Sequence, residues 1–580
     1  MKRKFVQIAA LFLSAALLTA SGGGQAASAA PSNTSGNVIR VGLHHDGPYG
    51  TGSVEGLNLE NETGEGFRFG YYDGSNQFVE LGFTDKKAIS VVETLNVYYG
   101  LYNGYTSYHT AVRSSVAVGE YHLRVPGSYS SFDKAREAAS QYTDGFVAYI
   151  GGEYQARVGN YTSGDLARAA RAALGTDWEL CWTSEFGVSV VVTGTNKIVF
   201  QYDDKGNGTG LGVEPNAAGG GDYTTVSKNA LYPGGFRFER IGGGKLTVVN
   251  MVEFENYIEG VVATEMSNSW PVEALKAQAL AARSYAVRLG SGHSAHHFDI
   301  CNGTHCQAYT GRSRTGKNTR TAVEETAGQV VLYNGKVAQT PYYSSNGGAS
   351  ESSSTVWGSS QTAYPYLVGK ADPYEAASGV KNDYTRTVSS STLVTGLRNQ
   401  GYSEVVGPIV SVAVTSLTDS GNPRQITFTD SRGTRFTLGT RFVVNMLGLR
   451  SYRYGFETVD GEPSGPDGGG GVSINGTATV DSVSGLYAID GDRNTAPVSG
   501  DVYVLTGSGP VLRNGSGAGG GSLGSLSSTT GDGGWFTFIG KGWGHNVGMS
   551  QYGAYAMANQ GYTYEEIIQF YYTGVTVGSM

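Results

Sequence analysis

One carboxylate, that of Glu265, stands in a sequence context that suits acid catalysis. It lies in the apolar run VVATEM, just ahead of a sharply capped helix that carries the basic Arg283. Asp and Glu are almost never fully buried unless something pairs with them. An acid in that setting can be held protonated near neutral pH, as a general acid requires. The alternative is a Glu at the N-terminal end of a helix, where a carboxylate is favoured by the helix dipole.

The histidines and cysteines that follow this helix have the spacing of metal ligands. Cys301, His305 and Cys306 are close together, and His296 and His297 precede them. Two thiolates and two imidazoles at short range suit tetrahedral zinc. We predict a structural zinc site formed by Cys301, His305, Cys306 and one of the two upstream histidines, since four protein ligands leave no open position. A Cys301–Cys306 disulfide is the alternative in an oxidising compartment.

Two helices are predicted around Glu265. The first places Tyr257, Ile258, Val261 and Val262 on one apolar face. The second starts at Pro271, a favoured first helical position. Leu and Ala residues form an apolar stripe along this second helix, and Arg283 lies outside the stripe.

Five motifs, in order, resemble the stage II sporulation protein D / LytB (SpoIID/LytB) family. They are VVATEMSNSWPVEALKAQALAARSYAV, FDICNGTHCQAYTG, YYSSNGGASESSSTVWG, YPYLVGKADPYE and GKGWGHNVGMSQYGAYAMANQG. The resemblance extends from Leu246 to Val577, with one insertion. Asn546 stands where the family usually has Gly in the last motif, and Asn tolerates left-handed backbone geometry better than most residues.

The resemblance implies a lytic transglycosylase that acts on peptidoglycan glycan strands, with Glu265 at the position of the catalytic Glu. Glycoside hydrolases commonly use two carboxylates. A lytic transglycosylase can use one, because the 6-hydroxyl of the sugar attacks the anomeric carbon and leaves a 1,6-anhydro-muramoyl end. The LytB branch of the family implies an alternative, a non-enzymatic amidase enhancer, and the His/Cys cluster leaves a zinc hydrolase as another.

The resemblance also implies a set of substrate-binding residues. Arg283 would bind a muramic carboxyl group or steady charge near the acid, although a surface Arg lying over Ala is the alternative. Glu351 would be a second carboxylate of the cleft or a solvated loop acid. The full set is Arg283, Ser344, Glu351, Lys370, Asp372, His545, Ser550 and Gln551.

An internal repeat precedes this region. YHLRVPGSYSSFDKAREAA starts at Tyr121, and YQARVGNYTSGDLARAARAA starts at Tyr154. Each copy has a strand, a turn and an amphipathic helix, which predicts a βαββαβ unit. The unit resembles the SPOR domain, a family that binds glycan strands stripped of their stem peptides. A ferredoxin-like module without a ligand is the alternative.

We therefore predict a multidomain α+β protein. The predicted order is a signal peptide (1–29), a β-rich N-terminal module (32–113), a SPOR-like module (118–200), a linker (203–231), a SpoIID/LytB catalytic domain (232–462), a Gly-rich insertion (463–534) and the C-terminal part of the catalytic domain (535–580).

Composition and the N-terminus predict location and partners. The net charge of −8 and the absence of a basic tract argue against nucleic acid binding. The N-terminus has a charged region (2–4), an apolar region (5–18) and a small-residue cleavage site at 27–29. No later segment is apolar and long enough to span a bilayer. We expect a protein that is secreted or associated with the cell wall, with peptidoglycan strands and other cell-wall hydrolases as partners.

Overall fold

The computed structural model describes residues 38–47, 49–174, 177–217, 223–227, 230–290, 292–456 and 534–580, and seven short strands between 472 and 530. The fold is mixed α+β, as predicted. It divides into an N-terminal unit, Gly23–Ser269 with Ala286–Ala327, and a C-terminal unit, Trp270–Tyr285 with Gly328–Met580. The predicted signal peptide lies outside the described residues.

Ten α-helices occur in the part of the chain that is described. They are α1 Phe132–Ala139, α2 Gly164–Leu174, α3 Phe254–Glu265, α4 Val272–Leu289, α5 Lys317–Glu324, α6 Ser353–Trp357, α7 Ser390–Asn399, α8 Thr440–Leu447, α9 Gln551–Asn559 and α10 Tyr564–Tyr571. Both helices predicted around Glu265 are confirmed as α3 and α4. None of the described helices combines the length and apolarity that crossing a membrane would require.

A seven-stranded sheet of the N-terminal unit positions α3. Its order is Ile300–Cys301, Val38–His44, Thr247–Glu253, Gly235–Glu239, Leu211–Pro215, Phe67–Tyr72 and Phe78–Thr84. Val38–His44 pairs antiparallel with Thr247–Glu253 and parallel with Ile300–Cys301. Thr247–Glu253 leads directly into α3, whose first turn is capped by the Glu253 side chain accepting from the Asn256 N–H. The sheet therefore fixes the start of the helix that ends at Glu265.

A ten-stranded sheet contains the repeat. Its order is Glu179–Cys181, Tyr121–Arg124, Glu153–Tyr161, Gly145–Ile150, Ile198–Asp203, Val188–Val192, Ala88–Glu93, Gly56–Glu60, Tyr223–Val226 and Ala230–Pro233. The first four strands, with α1 and α2, follow the predicted strand–helix–strand–strand–helix–strand succession. Leu123, Ala139, Ala156 and Trp178 form a core there. A small sheet of Val97–Tyr102, Tyr105–His109 and Ala117–Val118 belongs to the same unit.

Both large sheets cross the domain bounds that the sequence predicted. Strands from the predicted N-terminal module 32–113 are distributed between the two sheets, beside strands from 211–253. The prediction that residues 203–231 form a linker is corrected, because this stretch contains the strands Leu211–Pro215 and Tyr223–Val226. Leu211 and Val213 are completely buried. Gly206, Gly208 and Gly210 lie in the short loop before Leu211–Pro215.

The C-terminal unit has smaller sheets. They are Lys336–Val337, Gln329–Tyr333 and Thr576–Ser579; Tyr342–Tyr343 with Met549–Ser550; Asp383–Ser389, Trp535–Lys541 and Arg453–Phe456; and Arg435–Gly439, Pro423–Asp430, Ile409–Leu417 and Ser528–Thr530. Trp535–Lys541 pairs with strands on both sides of it. Residues that follow the insertion thus return to a sheet formed by residues that precede it.

The predicted insertion 463–534 lies largely outside the described residues. Its backbone strands form three antiparallel pairs: Val472–Ile474 with Ala478–Val480, Tyr487–Ile489 with Thr495–Pro497, and Asp501–Thr506 with Gly509–Asn514.

Candidate functional site

Glu265 is the last residue of α3 and is partly buried. The chain leaves the helix at Met266, which has an extended backbone. The backbone N–H of Ala308 donates to Glu265 Oε1 at 3.3 Å. The negative end of a helix dipole lies at its C-terminus and opposes a negative charge there. The alternative of a Glu at a helix N-terminus is therefore wrong.

The segment around Ala308 packs tightly against α3. A Cβ on Gly260 would lie 2.5 Å from Cε2 of Tyr309 and 2.8 Å from the carbonyl oxygen of Gly311. One turn later, the hydroxyls of Thr264 and Thr310 are 2.9 Å apart. The absence of a side chain at Gly260 allows this approach, which brings the segment 308–311 alongside the helix turn that carries Glu265.

Four potential metal ligands converge just before this segment: His293, Cys301, His305 and Cys306, whose ligand atoms all lie within 4.8 Å of one another. His293 Nε2 is 3.2 Å from Cys306 Sγ, and His305 Nδ1 is 3.5 Å from Cys306 Sγ and 3.8 Å from Cys301 Sγ. Zinc bond lengths in a tetrahedral site imply ligand–ligand separations of roughly 3.5–3.7 Å. The four side chains could therefore hold a metal ion, and two thiols with two imidazoles are a donor set that suits zinc.

Neither His296 nor His297 belongs to this group, and His293 takes the place predicted for one of them. Ser294–His296 forms a 3-10 turn, and His297 follows it with a left-handed backbone, φ 63°. His297 Nδ1 is 2.8 Å from Glu239 Oε1, whereas the His296 ring packs near Phe298. Proximity along the sequence favoured His296 and His297, but the 3-10 turn and the left-handed backbone of His297 lie between His293 and Cys301, and only His293 joins the ligand group.

The immediate surroundings of the ligand group are apolar and aromatic. Phe298 stacks on His293, and Tyr49 stacks on His305 with ring centroids 4.1 Å apart. Cys301 and Cys306 are buried and are free thiols, so the structure contains no disulfide between them. A hydrogen bond from the Cys306 thiol lowers the pKa of Cys301 to about 4. Cys301 thus favours the thiolate, the form that binds metals.

Glu375, which the sequence did not single out, is the centre of a buried polar network in the C-terminal unit. Its Oε1 accepts from Ser345 Oγ and the Gly347 N–H, both at 2.7 Å. Its Oε2 accepts from the Asn346 N–H at 2.7 Å and from Ser550 Oγ at 2.5 Å. Ser550 also caps α9. The network joins the family-like motif around 345 to the C-terminal motif, and only the order of the motifs in the sequence hinted at this.

Asp372 forms a second buried carboxylate in the same network. Tyr571 and Asn346 each donate to its Oδ2 at 2.7 Å. Burial raises the pKa of both Asp372 and Glu375, and the charge of Asp372 adds to the effect on Glu375. In this structure Asp372 and Ser550 hold segments of the C-terminal unit together.

Glu351 is buried and not solvated, which corrects the alternative of a loop acid. Its Oε2 accepts from Thr418 Oγ1 at 2.7 Å, Ser420 Oγ at 3.0 Å and Asn422 Nδ2 at 3.1 Å. Its Oε1 accepts from the Ser352 N–H. This carboxylate organises the turn 418–422.

Arg283 and Lys370 also have internal partners. Arg283 is completely buried, and its Nη1 donates to the carbonyl oxygen of Gln329 at 3.0 Å. The alternative of a surface Arg is therefore wrong. Lys370 Nζ donates to the carbonyl oxygen of Phe570, and burial lowers the pKa of Lys370.

The remaining predicted residues lie in or near the C-terminal motif. His545 Nδ1 accepts from the Val547 N–H, and burial lowers the pKa of His545 to about 4, so the imidazole is neutral at pH 7. Gln551 is buried, and Ser344 is partly buried. Asn546 has a left-handed backbone, φ 61°, as its replacement of a Gly implied.

Comparisons with known proteins point to one family. The sequence model of SpoIID, described as stage II sporulation protein, matches residues 242–333, which include Glu265 and the four clustered His and Cys residues. The amidase enhancer of Bacillus subtilis (strain 168) is 30% identical over 323 residues, which cover 56% of this chain and 40% of the relative. Stage II sporulation protein D of the same organism is 26% identical over 345 residues, 57% of this chain and 75% of the relative. An uncharacterized protein of Brachyspira hyodysenteriae is 28% identical over 337 residues, 57% and 68% of the two chains. The match thus spans less than half of the amidase enhancer.

Proposed function

We propose that this chain, which matches the SpoIID family model over residues 242–333, is a peptidoglycan lytic transglycosylase that cleaves peptide-free glycan strands outside the cytoplasmic membrane. The observation that carries the proposal is the position of Glu265. Glu265 is the last residue of α3 and is partly buried, and its carboxyl group accepts a hydrogen bond from the backbone N–H of Ala308, which follows the His/Cys cluster. A role in sporulation or cell-wall remodelling is part of the proposal, since the relatives include a stage II sporulation protein.

Glu265 would act first as an acid and then as a base. The protonated carboxyl donates its proton to the glycosidic oxygen as the bond to the anomeric carbon breaks. The 6-hydroxyl of the muramoyl residue then attacks the anomeric carbon, and Glu265 takes the hydroxyl proton. The products are a 1,6-anhydro-muramoyl end and a free 4-hydroxyl on the departing strand.

The His/Cys cluster would position the segment that contacts Glu265. His293, Cys301, His305 and Cys306 would hold zinc, which when bound supplies a cross-link and not a catalytic position, because four protein ligands complete its tetrahedron. Ala308 follows Cys306 by two residues. Fixing Cys306 therefore fixes the N–H that reaches Glu265. A zinc ion with four protein ligands has no open position for a catalytic water, which argues against the alternative of a zinc hydrolase.

A set of substrate-recognising residues is proposed in each unit separately. In the C-terminal unit, Arg283, Ser344, Glu351, Lys370, Asp372, His545, Ser550 and Gln551 remain the proposed groove-forming set. Most of them are buried and hydrogen-bonded, which favours a role in shaping the groove over direct contact. In the N-terminal unit, the βαββαβ region would bind peptide-free strands. Trp182 is 59% exposed there and contacts Tyr121, a surface suited to sugar rings.

A second candidate function is enhancement of a separate amidase without catalysis. The 30% identity to a protein named amidase enhancer favours it. The two candidates differ in whether the protein alone changes a glycan strand.

Digestion of peptide-stripped glycan strands, followed by mass spectrometry of the products, tests the proposal. We expect anhydro-muramoyl ends with the unaltered protein and a loss of roughly 10²–10⁴ in rate with Glu265→Gln, the range that general acid catalysis supplies. Glu255→Gln, on the first turn of the same helix, is the matched control.

The other possible results of this digestion would each contradict a different part of the proposal. Full activity of Glu265→Gln would remove Glu265 as the acid. Reducing ends in place of anhydro ends would indicate a hydrolase. No cleavage by the unaltered protein, together with stimulation of an added amidase, would establish the enhancer.

A further inference from the structure

A small cleft lies between the two large sheets of the N-terminal unit. Val188 and Tyr202 line it from the ten-stranded sheet, and Leu211 and Phe238 line it from the seven-stranded sheet. Its volume is about 100 Å³. That is room for a few waters or for one substituent of a few heavy atoms.

The loop 204–210, which joins the two sheets, forms one wall. Asp204 holds the loop, because its Oδ2 accepts from the N–H groups of Thr209 and Gly210 at 2.9 and 3.1 Å and its Oδ1 accepts from the N–H of Gly206 at 2.9 Å. Gly206, Gly208 and Gly210 all have positive φ. A Cβ on Gly208 would lie 3.6 Å from Glu239 Oε1. At Gly208 the wall is thus backbone that a ligand can approach closely, whereas Gly206 and Gly210 pack against Phe186 and the carbonyl oxygen of Phe238.

The polar end of the cleft is a fixed histidine–glutamate pair. His297 Nδ1 is 2.8 Å from Glu239 Oε1, and both residues line the cleft. Behind them, the buried Arg237 donates to the carbonyl oxygen of His297, and its Nη2 lies 3.7 Å from Glu239 Oε2. Since a carboxylate only accepts, a neutral His297 donates through Nδ1 and offers Nε2 as an acceptor.

The charged side chains that line the cleft, Asp204, Glu239 and Arg240, already have hydrogen-bond partners inside the protein. Arg240 donates to the carbonyl oxygens of Gly244, Gly243 and Gly187, at 2.9, 3.1 and 3.4 Å. Asp204 is engaged by its own loop, and Glu239 by His297 and Arg237. A charged ligand would have to compete with these internal partners and would lose its own hydration. The cleft therefore favours a neutral ligand with an apolar part and one N–H donor.

Aromatic rings surround the cleft and continue beyond it. Phe186, Phe238 and Tyr202 form its walls. Tyr149 stacks on Tyr202 at 6.3 Å and 14°, and Tyr154 contacts Tyr149 at 4.9 Å. Tyr149 and Tyr154 are only partly buried. Such rings present an apolar face beside a hydroxyl, which suits sugar rings.

We propose that this cleft binds the acetamido group of a 2-acetamido sugar in a glycan strand, with neighbouring sugars on Tyr149 and Tyr154. The methyl group packs against Phe186 and Phe238, and the amide N–H donates to His297 Nε2. The choice of a glycan as ligand rests on the proposed function.

Calorimetric titration of the full chain carrying Glu265→Gln, which prevents turnover, tests this inference. The probes are the β-1,4 tetramer of N-acetylglucosamine and cellotetraose, which is also neutral but has hydroxyls in place of the acetamido groups. We expect the acetylated tetramer to bind more tightly. His297→Asn should weaken its binding roughly threefold to tenfold, the worth of one hydrogen bond, and should leave cellotetraose unchanged.

His297→Asn is chosen because Asn tolerates the left-handed backbone at this position. Phe186→Ala is a second variant, with the same expectation, that leaves the backbone of the cleft intact. Tyr102→Ala, an exposed aromatic on the hairpin 97–109, is the control and should bind like the parent. Equal affinity for the two tetramers, or unchanged binding by folded His297→Asn and Phe186→Ala, would overturn the proposal. Failure to form anhydro ends would count against the transglycosylase alone, because binding is measured without turnover.

Discussion

At the scale of single residues, the structure separates groups that the sequence placed together. Three of the predicted metal ligands converge, and His293 completes them in place of His296 or His297. The carboxylates divide in a similar way. Glu351, Asp372 and Glu375 are each buried among several donors, whereas Glu265 is partly exposed. Burial with saturated hydrogen bonding indicates a structural role, and partial exposure leaves Glu265 able to meet a substrate.

The assignment of His293 can be tested by metal content. We expect the purified protein to contain about one zinc per chain, His293→Ala to lose most of it, and His296→Ala to retain it, because only His293 shares the ligand group. Elemental analysis by mass spectrometry measures the ratio. Chelation should also lower the thermal midpoint of the unaltered protein, since a structural metal stabilises the folded state. Zinc loss from His296→Ala with retention in His293→Ala would reverse the assignment.

At the scale of elements, α3 and the segment 308–311 form one piece. Gly260 permits the contact, and Thr264 and Ala308 extend it to Glu265. Sequence periodicity predicted the helix but not this contact, because nothing in a helical pattern shows which loop packs against a glycine. The same limit explains Glu375, which lies in a matched motif without any sign that Ser345 and Ser550 converge on it.

A change at Gly260 should therefore affect both stability and activity. In an exposed helix, Gly→Ala gains about 1 kcal/mol. At Gly260 the added Cβ meets an aromatic ring and a backbone oxygen, and overpacking of this kind costs about 1–3 kcal/mol. We expect Gly260→Ala to lower the free energy of unfolding in urea by about 1–2 kcal/mol and to slow glycan cleavage.

The control for this prediction is Gly396→Ala in α7. There the added Cβ meets the flexible side chain of Met446 and not backbone, so the variant should be unchanged or slightly stabilised. Equal effects of the two substitutions would show that close packing at Gly260 does not matter.

At the scale of the whole molecule, the α+β class and the succession of elements in the repeat were predictable because periodicity is local. The domain bounds were not, since strand pairing over long sequence separations leaves no local pattern. Val38–His44 lies between Thr247–Glu253 and Ile300–Cys301, so a strand from the predicted N-terminal module completes the sheet that precedes α3 and includes Cys301.

Removal of the predicted N-terminal modules should consequently unfold the remainder. A fragment 232–580 lacks Val38–His44, the strand that pairs with both Thr247–Glu253 and Ile300–Cys301. We expect it to be insoluble or to unfold without cooperativity, and to bind no zinc, whereas 38–580 unfolds cooperatively. Circular dichroism during heating distinguishes these outcomes. A soluble fragment 232–580 with a cooperative transition would show that the sheet survives without its second strand.

The placement of Val38–His44 also sets the order in which the chain can assemble. Val38 pairs with Glu253, so the first of the described strands to be synthesised has no partner on either side until the ribosome has delivered the strands 247–253 and 300–301. Pairings this distant form slowly and leave apolar strands open to aggregation in the meantime. Both edges of Val38–His44 therefore stay open to other chains until residues 253 and 301 have been synthesised.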